Sequence, residues 1–436
     1  MTTPADDRTL LEQLYRAAVA AVDPGPATTE AIARLTTTSD APLWILALGK
    51  ASVPMATAAS RHARADGRRI AGGVIVAPEL GHTPDASLPL VRGDHPEPGG
   101  ASLAAATLLG QVVERIGPGD EVWVLLSGGA TSLIGAPRDP VAPDDLRQLY
   151  ARLLASGLDI GAMNRIRKRF TRWGGGKLAA ALAGRRVLQL VVSDVIGDDL
   201  PSIGSGPCVA DATTAREIEE LLQRAGLLHE VAASIRGVLD ATVAGTIPET
   251  PKPGDRAFET VRTAIISSNR LALEAAARKA TELGLVPMLV AEPIRGEARA
   301  VGASVVASLR NNSQATGSQV AARPCMIWGG ETTVTLGSAP GLGGRCQELA
   351  LAAAEALRDG PRLSVLAAGT DGRDGPTDAA GAIVDGGTWS RIVNAGRDPA
   401  HDLERHDAYP ALSAANALLK PGLTGTNVMD VVFGLG

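Results

Sequence analysis

Residues 191–211 read V-V-S-D-V-I-G-D-D-L-P-S-I-G-S-G-P-C-V-A-D. The apolar run 187–192, interrupted by one Gln, predicts a buried strand that delivers Ser193 and Asp194 to its C-terminal end. Three carboxylates follow within six residues (Asp194, Asp198, Asp199), and then I-G-S-G-P offers backbone N–H groups to an anion. Acids, a hydroxyl and bare backbone at a strand's C-terminal end are what an α/β enzyme uses to hold a metal and a charged substrate. The same residues also suit an acidic surface loop. Their place directly after a buried strand favours function.

Similar apolar runs at 43–48, 73–77, 88–92 and 121–126 alternate with helical spacing. That alternation predicts a mostly parallel sheet with helices on both faces. Leu10, Leu11, Leu14, Ala18 and Val22 open the chain with an amphipathic helix. Residues 241–256, rich in Pro, Thr and Gly, lack any period and predict a boundary between domains 1–242 and 257–436. Beyond it, strands are expected at 260–266, 285–291, 325–328, 332–336 and 363–368, with a last one after T-G-T-N-V.

Two domains also follow from length, since 436 residues exceed one ordinary core. Aromatic residues make up only 3%, so the core must be aliphatic. A net charge of −5 gives no general attraction to nucleic acid or to an anionic membrane, and neither is expected as a partner. Cys208, Cys325 and Cys346 lack metal-ligand spacing and form no disulfide framework. With no apolar segment behind M-T-T-P-A-D-D-R and no run of about 18 apolar residues, a cytoplasmic protein is expected.

Several strand ends carry candidate chemistry. Lys50 follows the first strand and precedes a helix, where a lysine reaches a phosphate; L-G-K-A-S is not a P-loop. Ser127, Gly128 and Gly129 follow V-W-V-L-L and let a ligand approach the backbone. Arg165, Lys168, Arg169 and Arg172 share one helix face, either a solvated face or an anion-handling one. Glu331 and Thr332 precede a Gly-rich loop that ends in Arg345 at a helix start, a strong anion site. Asp371, Asp374 and Asp378 lie in G-T-D-G-R-D-G-P-T-D, which lacks the closing Glu of a calcium loop.

Taken in order, L-G-K-A-S, S-D-V-I-G-D-D, S-G-P, G-G-E-T-T-V-T, G-G-R-C-Q-E and G-T-D-G-R-D-G-P-T-D-A-A-G resemble the class II glycerate 2-kinases, whose C-terminal part is the MOFRL domain. Many members carry the name hydroxypyruvate reductase. The resemblance implies a Rossmann-like N-terminal domain, a C-terminal α/β domain, and an active site in the cleft between them. It implies phosphoryl transfer from ATP to the 2-hydroxyl of glycerate; such transfer calls for Mg²⁺ as cofactor, and a homodimer is the assembly to test. Lys50 and Arg345 then match catalytic positions. Asp194, Asp198 and Asp199 become candidates for the metal, and Asp194 or Asp371 for the base. Arg167 and Lys168 are candidates for the glycerate carboxylate. His95 of G-D-H-P-E-P, Ser205 and Gly206 of S-G-P, and Thr426 and Asn427 of T-G-T-N-V complete the expected binding residues. The chain departs from the family at Cys346, where Asn is usual, at Gly174 in place of Lys, and at Thr131 and Gly99. A nicotinamide-dependent reductase and a non-catalytic sugar-acid or nucleotide sensor are the competing readings; the first would require a G-x-G-x-x-G turn.

Overall fold

The computed structural model describes residues 4–37, 39–315, 323–358 and 360–436. It contains two compact units. One is continuous, Pro24–Ile266; the other joins the N-terminal helix Pro4–Ala21 to the described residues from Ser267 to the end.

In the continuous unit, β1 (Leu43–Leu48), β2 (Ile70–Ala77), β3 (Leu90–Arg92), β4 (Glu121–Leu126), β5 (Arg186–Val192) and β6 (Val261–Ser267) form a sheet ordered β3-β2-β1-β4-β5-β6. Pairings from β3 through β5 are parallel. Every residue of β1 and of β4 is buried, as continuous apolar runs require when helices cover both faces. Inside this sheet, Arg68 forks onto Glu121 at 3.1 and 3.0 Å and lies over the Trp123 ring, so its buried charge is paired. A satellite core of Leu146, Leu149, Phe170, Leu222 and Leu239 packs the helices that follow β4 and β5.

The other unit holds β7 (Val286–Leu289), β8 (Pro324–Gly330), β9 (Ser364–Gly369), β10 (Gly381–Asp385), β11 (Leu418–Leu419) and β12 (Asp430–Leu435), ordered β11-β10-β9-β12-β8-β7. This sheet is mixed: among the described residues only β7 and β8 pair in parallel, and β12 runs antiparallel between β8 and β9. Its core is aliphatic, with the helix Arg345–Leu357 buried along most of its length.

Four expectations shift. Val261–Ser267 was placed beyond the domain boundary, but it closes the first sheet beside β5, with Val187 N–H donating to Thr260 O at 3.0 Å. The Pro-rich stretch 241–256 is held down: the Thr250 hydroxyl donates to Asp211 and Lys252 Nζ to the Asp211 carbonyl, at 2.9 and 3.0 Å. The opening helix, read into domain 1–242, belongs to the other unit. Its Tyr15 hydroxyl donates to Gly369 O at 2.9 Å, and its Asp7 pairs with Arg323. The run 332–336 forms no strand; Thr333 makes only an isolated bridge to Glu297. No helix among the described residues is long and apolar enough to cross a membrane.

Candidate active site

The ends of β1 and β4 are tied together by their own backbones. Ser127 N–H donates to Leu48 O, Lys50 N–H to Gly128 O, and Ala51 N–H to Ser127 Oγ, at 3.0, 2.9 and 2.9 Å. Gly49 makes this possible: at φ +125° it occupies a region that side chains avoid, and a methyl group there would lie 2.5 Å from Ser127 O. Lys50 is left exposed at the top of the sheet. A methyl on Gly128 would sit 2.9 Å from Asp194 Oδ1 and closer still to the rest of that carboxylate. One on Gly129 would lie 3.2 Å from both Lys50 Cγ and His95 Cδ2. Lys50, His95, Ser127, Gly128, Gly129 and Asp194 therefore form one cluster at the C-terminal ends of the parallel strands, where open α/β sheets bind ligands. His95 titrates below its ordinary value, chiefly through burial and secondly through the Lys50 charge. The buried Ser205 joins through its hydroxyl, 2.9 Å from Thr131 Oγ1, and Gly206 O accepts from Gly176 N–H at 2.9 Å.

The three carboxylates of the opening stretch do not converge. Gly197 and Asp198 turn the chain at φ 80° and 55°. Asp194 stays over Gly128, whereas Asp199 accepts the Ser202 hydroxyl and lines a separate cavity with Asn164, Arg165 and Lys168. Among the described residues no group of three His, Cys, Asp or Glu is poised for a metal. Asp194, Asp198 and Asp199 thus stand as separate candidates for a metal, not as one three-carboxylate group.

The basic helix Ile160–Phe170 is mostly turned inward. Arg167 stacks on the Tyr150 ring at 4.7 Å, and burial lowers its pKa. Lys168 is buried and pairs with Asp211 at 2.9 Å; Arg169 is buried and pairs with Glu249 at 2.7 Å. Lys177 donates to Lys168 O at 2.7 Å, its pKa driven far down by burial. Burial alone would raise the Asp211 carboxyl, but Lys168, Thr250 and Thr213 N–H outweigh it and hold it below the usual range. Lys168 is thus paired inside the protein, whereas Arg167 stacks on a ring and its Nε has no hydrogen-bond partner among the described residues. Asp211 and Glu249, the neutralising network, went unassigned because nothing local in the sequence ties residue 211 or 249 to this helix.

In the other unit, Arg345 opens its helix after the loop 337–344 and pairs with Glu331 and, at 3.4 Å, with Asp430. Burial opposes the Arg345 charge, yet Asp430 and Glu331 raise its pKa further. Asp430 begins β12 opposite Gly330 and Gly369. Its carboxyl is pushed up to about 7, first by burial, despite Arg345. Asp374, which accepts from Gln347 N–H at 2.8 Å, is pushed up to about 6 for the same leading reason. Cys346 lies buried between these two acids. A cavity of about 660 Å³ adjoins Arg345 and is lined by Thr332, Leu336, Asp371, Asp374 and His406. Asp378 lies apart, on the surface with Tyr409 and Lys420. Thr426 and Asn427 serve the backbone, the first donating to Val22 O at 2.8 Å and the second accepting from Met429 N–H at 3.1 Å. Asp430 escaped the sequence reading because it looks like the first residue of an ordinary strand.

Residues 10–240 match a domain of unknown function (DUF4147), and residues 324–430 match the MOFRL family. The D-glycerate 2-kinase of Thermotoga maritima is 33% identical over the whole of both chains. The chain belongs to the glycerate 2-kinase (MOFRL) family. Within that family, a protein of Agrobacterium vitis provisionally named hydroxypyruvate reductase is 37% identical, over 97% of this chain and 93% of its own. The crystal structure of glycerate kinase from Thermotoga maritima superposes with a TM-score of 0.89 at 32% identity, covering 99% of this chain and 100% of that one. The sequence's resemblance to the glycerate 2-kinases and the expected α/β architecture are thus borne out.

Proposed function

We propose that this protein transfers a phosphoryl group from ATP to the 2-hydroxyl of D-glycerate. The observation that carries the reading is the cluster of Lys50, His95, the Ser127–Gly129 backbone and Asp194 at the C-terminal ends of β1, β4 and β5. Phosphoryl transfer asks for positioned positive charge and hydrogen-bond donors more than for a covalent nucleophile. Lys50 and the open backbone supply both. Asp194, the carboxylate of this cluster, takes the hydroxyl proton. The other unit carries a rigid cation of its own, Arg345, fixed from two sides by Glu331 and Asp430.

Magnesium neutralises phosphate charge when bound, and a nucleotide-borne Mg²⁺ needs only one or two protein carboxylates. The half-exposed Asp198 on the turn after Asp194 meets that demand, where a three-carboxylate site does not form. The three buried, unpaired thiols suit a reducing compartment such as the cytoplasm.

The test is ADP release dependent on D-glycerate and Mg²⁺, with ³¹P NMR assigning the product as the 2-phosphate. Lys50→Ala and Arg345→Ala should each cut kcat about 10²- to 10³-fold while the protein stays folded. NADH consumption with hydroxypyruvate and no nucleotide requirement would replace this reading with the reductase.

A further inference from the structure

Of the two cations expected to meet the acceptor's carboxylate, Lys168 is neutralised by Asp211, and Arg167 is half-buried against Tyr150 and lines no cavity described above. One cation of that helix, Arg165, is both exposed and without a hydrogen-bonded or ion-paired partner among the described residues. It acts on Glu217 through its charge alone. It lines a cavity of about 310 Å³ together with Asn164, Lys168, Asp199, Ser202 and Thr213. That volume is at the lower end of the roughly 300–1,000 Å³ usual for ligand sites, which suits a small acid better than a nucleoside triphosphate.

The charges of the lining make the same choice. With Lys168 held by Asp211, the cavity presents one available cation, Arg165, and one carboxylate, Asp199, which already accepts the Ser202 hydroxyl. A polyphosphate would meet repulsion from Asp199. A monoanion that also carries a hydroxyl finds a fork donor for its carboxylate and an acceptor for its O–H.

The cavity also neighbours the Lys50 cluster. Thr131 of that cluster meets Ser205, and a methyl on Gly174 would lie 3.1 Å from Ser205 Cβ and 3.3 Å from Lys168 Cβ. The absence of a side chain at Gly174 keeps this wall thin.

We infer that this cavity seats the hydroxy acid, with Arg165 binding its carboxylate while Asp199 and Ser202 take a hydroxyl. The inference rests on the kinase reading and names the acceptor subsite within it.

The experiment is steady-state kinetics of Arg165→Ala and Arg165→Lys, varying D-glycerate and ATP separately. For Arg165→Ala the KM for D-glycerate should rise about 10- to 100-fold, as expected for a lost charge-assisted bond, with the ATP KM changed less than about threefold. Arg165→Lys should fall between. A glycerate KM within about threefold of wild type overturns the inference, and so does a parallel rise in both KM values, which would assign Arg165 to nucleotide phosphate. If the wild-type protein shows no glycerate turnover, the kinase reading fails by itself. The cavity is then judged by thermal shift with D-glycerate, lactate and tartronate. A stabilisation by one of them that Arg165→Ala abolishes supports a hydroxy-acid site; none with wild type refutes it.

Discussion

Gly128→Ala isolates the contact between the β4 turn and Asp194. A methyl group at this position meets Asp194 Oδ1 at 2.9 Å, with Cγ and Oδ2 nearer still. The carboxylate must retreat on the order of 1.5 Å to restore normal van der Waals separation. The backbone itself tolerates alanine, since Gly128 is not among the residues with positive φ. Overpacking of this kind costs about 1–3 kcal/mol. Displacing a reacting group by about 1 Å costs on the order of 10²-fold in rate. Gly128→Ala should therefore melt a few degrees lower and lose about 10²-fold in kcat, with the ATP KM little changed. Gly237→Ala is the control: it lies within the helix Ala233–Val243 with nothing near its added methyl, and should equal or exceed wild type in stability. Coupled ADP release and a thermal melt read both variants. If Gly128→Ala retains kcat within about threefold while its melting temperature drops, Asp194 has moved without consequence, and its assignment as the base is refuted.

Removing the buried counter-ion in Asp211→Ala leaves Lys168 unpaired and should cost about 3–5 kcal/mol, or roughly 6–20 °C in melting temperature; a loss under about 1 kcal/mol would contradict the network. The Asp430 carboxyl titrates at about 7 against 3.8 when free, so the folded protein holds a proton that the unfolded chain has released. Its stabilising contribution is complete below about pH 4 and is lost as the pH climbs to about 7. Asp430→Asn should flatten that decline in denaturant melts at pH 5 and pH 8, and an unchanged slope would count against the raised value. Gly49→Ala should yield little folded protein, because its methyl would clash with Ser127 and force a side chain into φ +125°.

What the sequence made legible was what local pattern encodes. The continuous apolar runs of β1, β4 and β5 announced a covered parallel sheet, and the glycines after them marked the turns that gather Lys50, His95 and Asp194. The interior pairings were not legible. Lys168 and Arg169 resemble a solvated face until Asp211 and Glu249 arrive from 43 and 80 residues away. Arg165, one turn earlier on the same helix, has the same residue type and the opposite fate, and helical phase alone does not separate the two. The Pro-rich stretch 241–256 misled for a related reason. Its composition describes a linker, whereas its hydrogen bonds to Asp211 make it part of a wall.

The helix Pro4–Ala21 belongs with strands that begin more than 260 residues later. During synthesis it leaves the ribosome long before its partners exist, so its apolar stripe of Leu11, Leu14 and Ala18 must wait exposed while residues 24–266 already form a compact unit. Assembly is then an order of events: the inserted unit first, and the enclosing one only when the last strand, Asp430–Leu435, slots between β8 and β9. A chain stalled shortly before that strand would carry a finished interior module between two halves of an unfinished one.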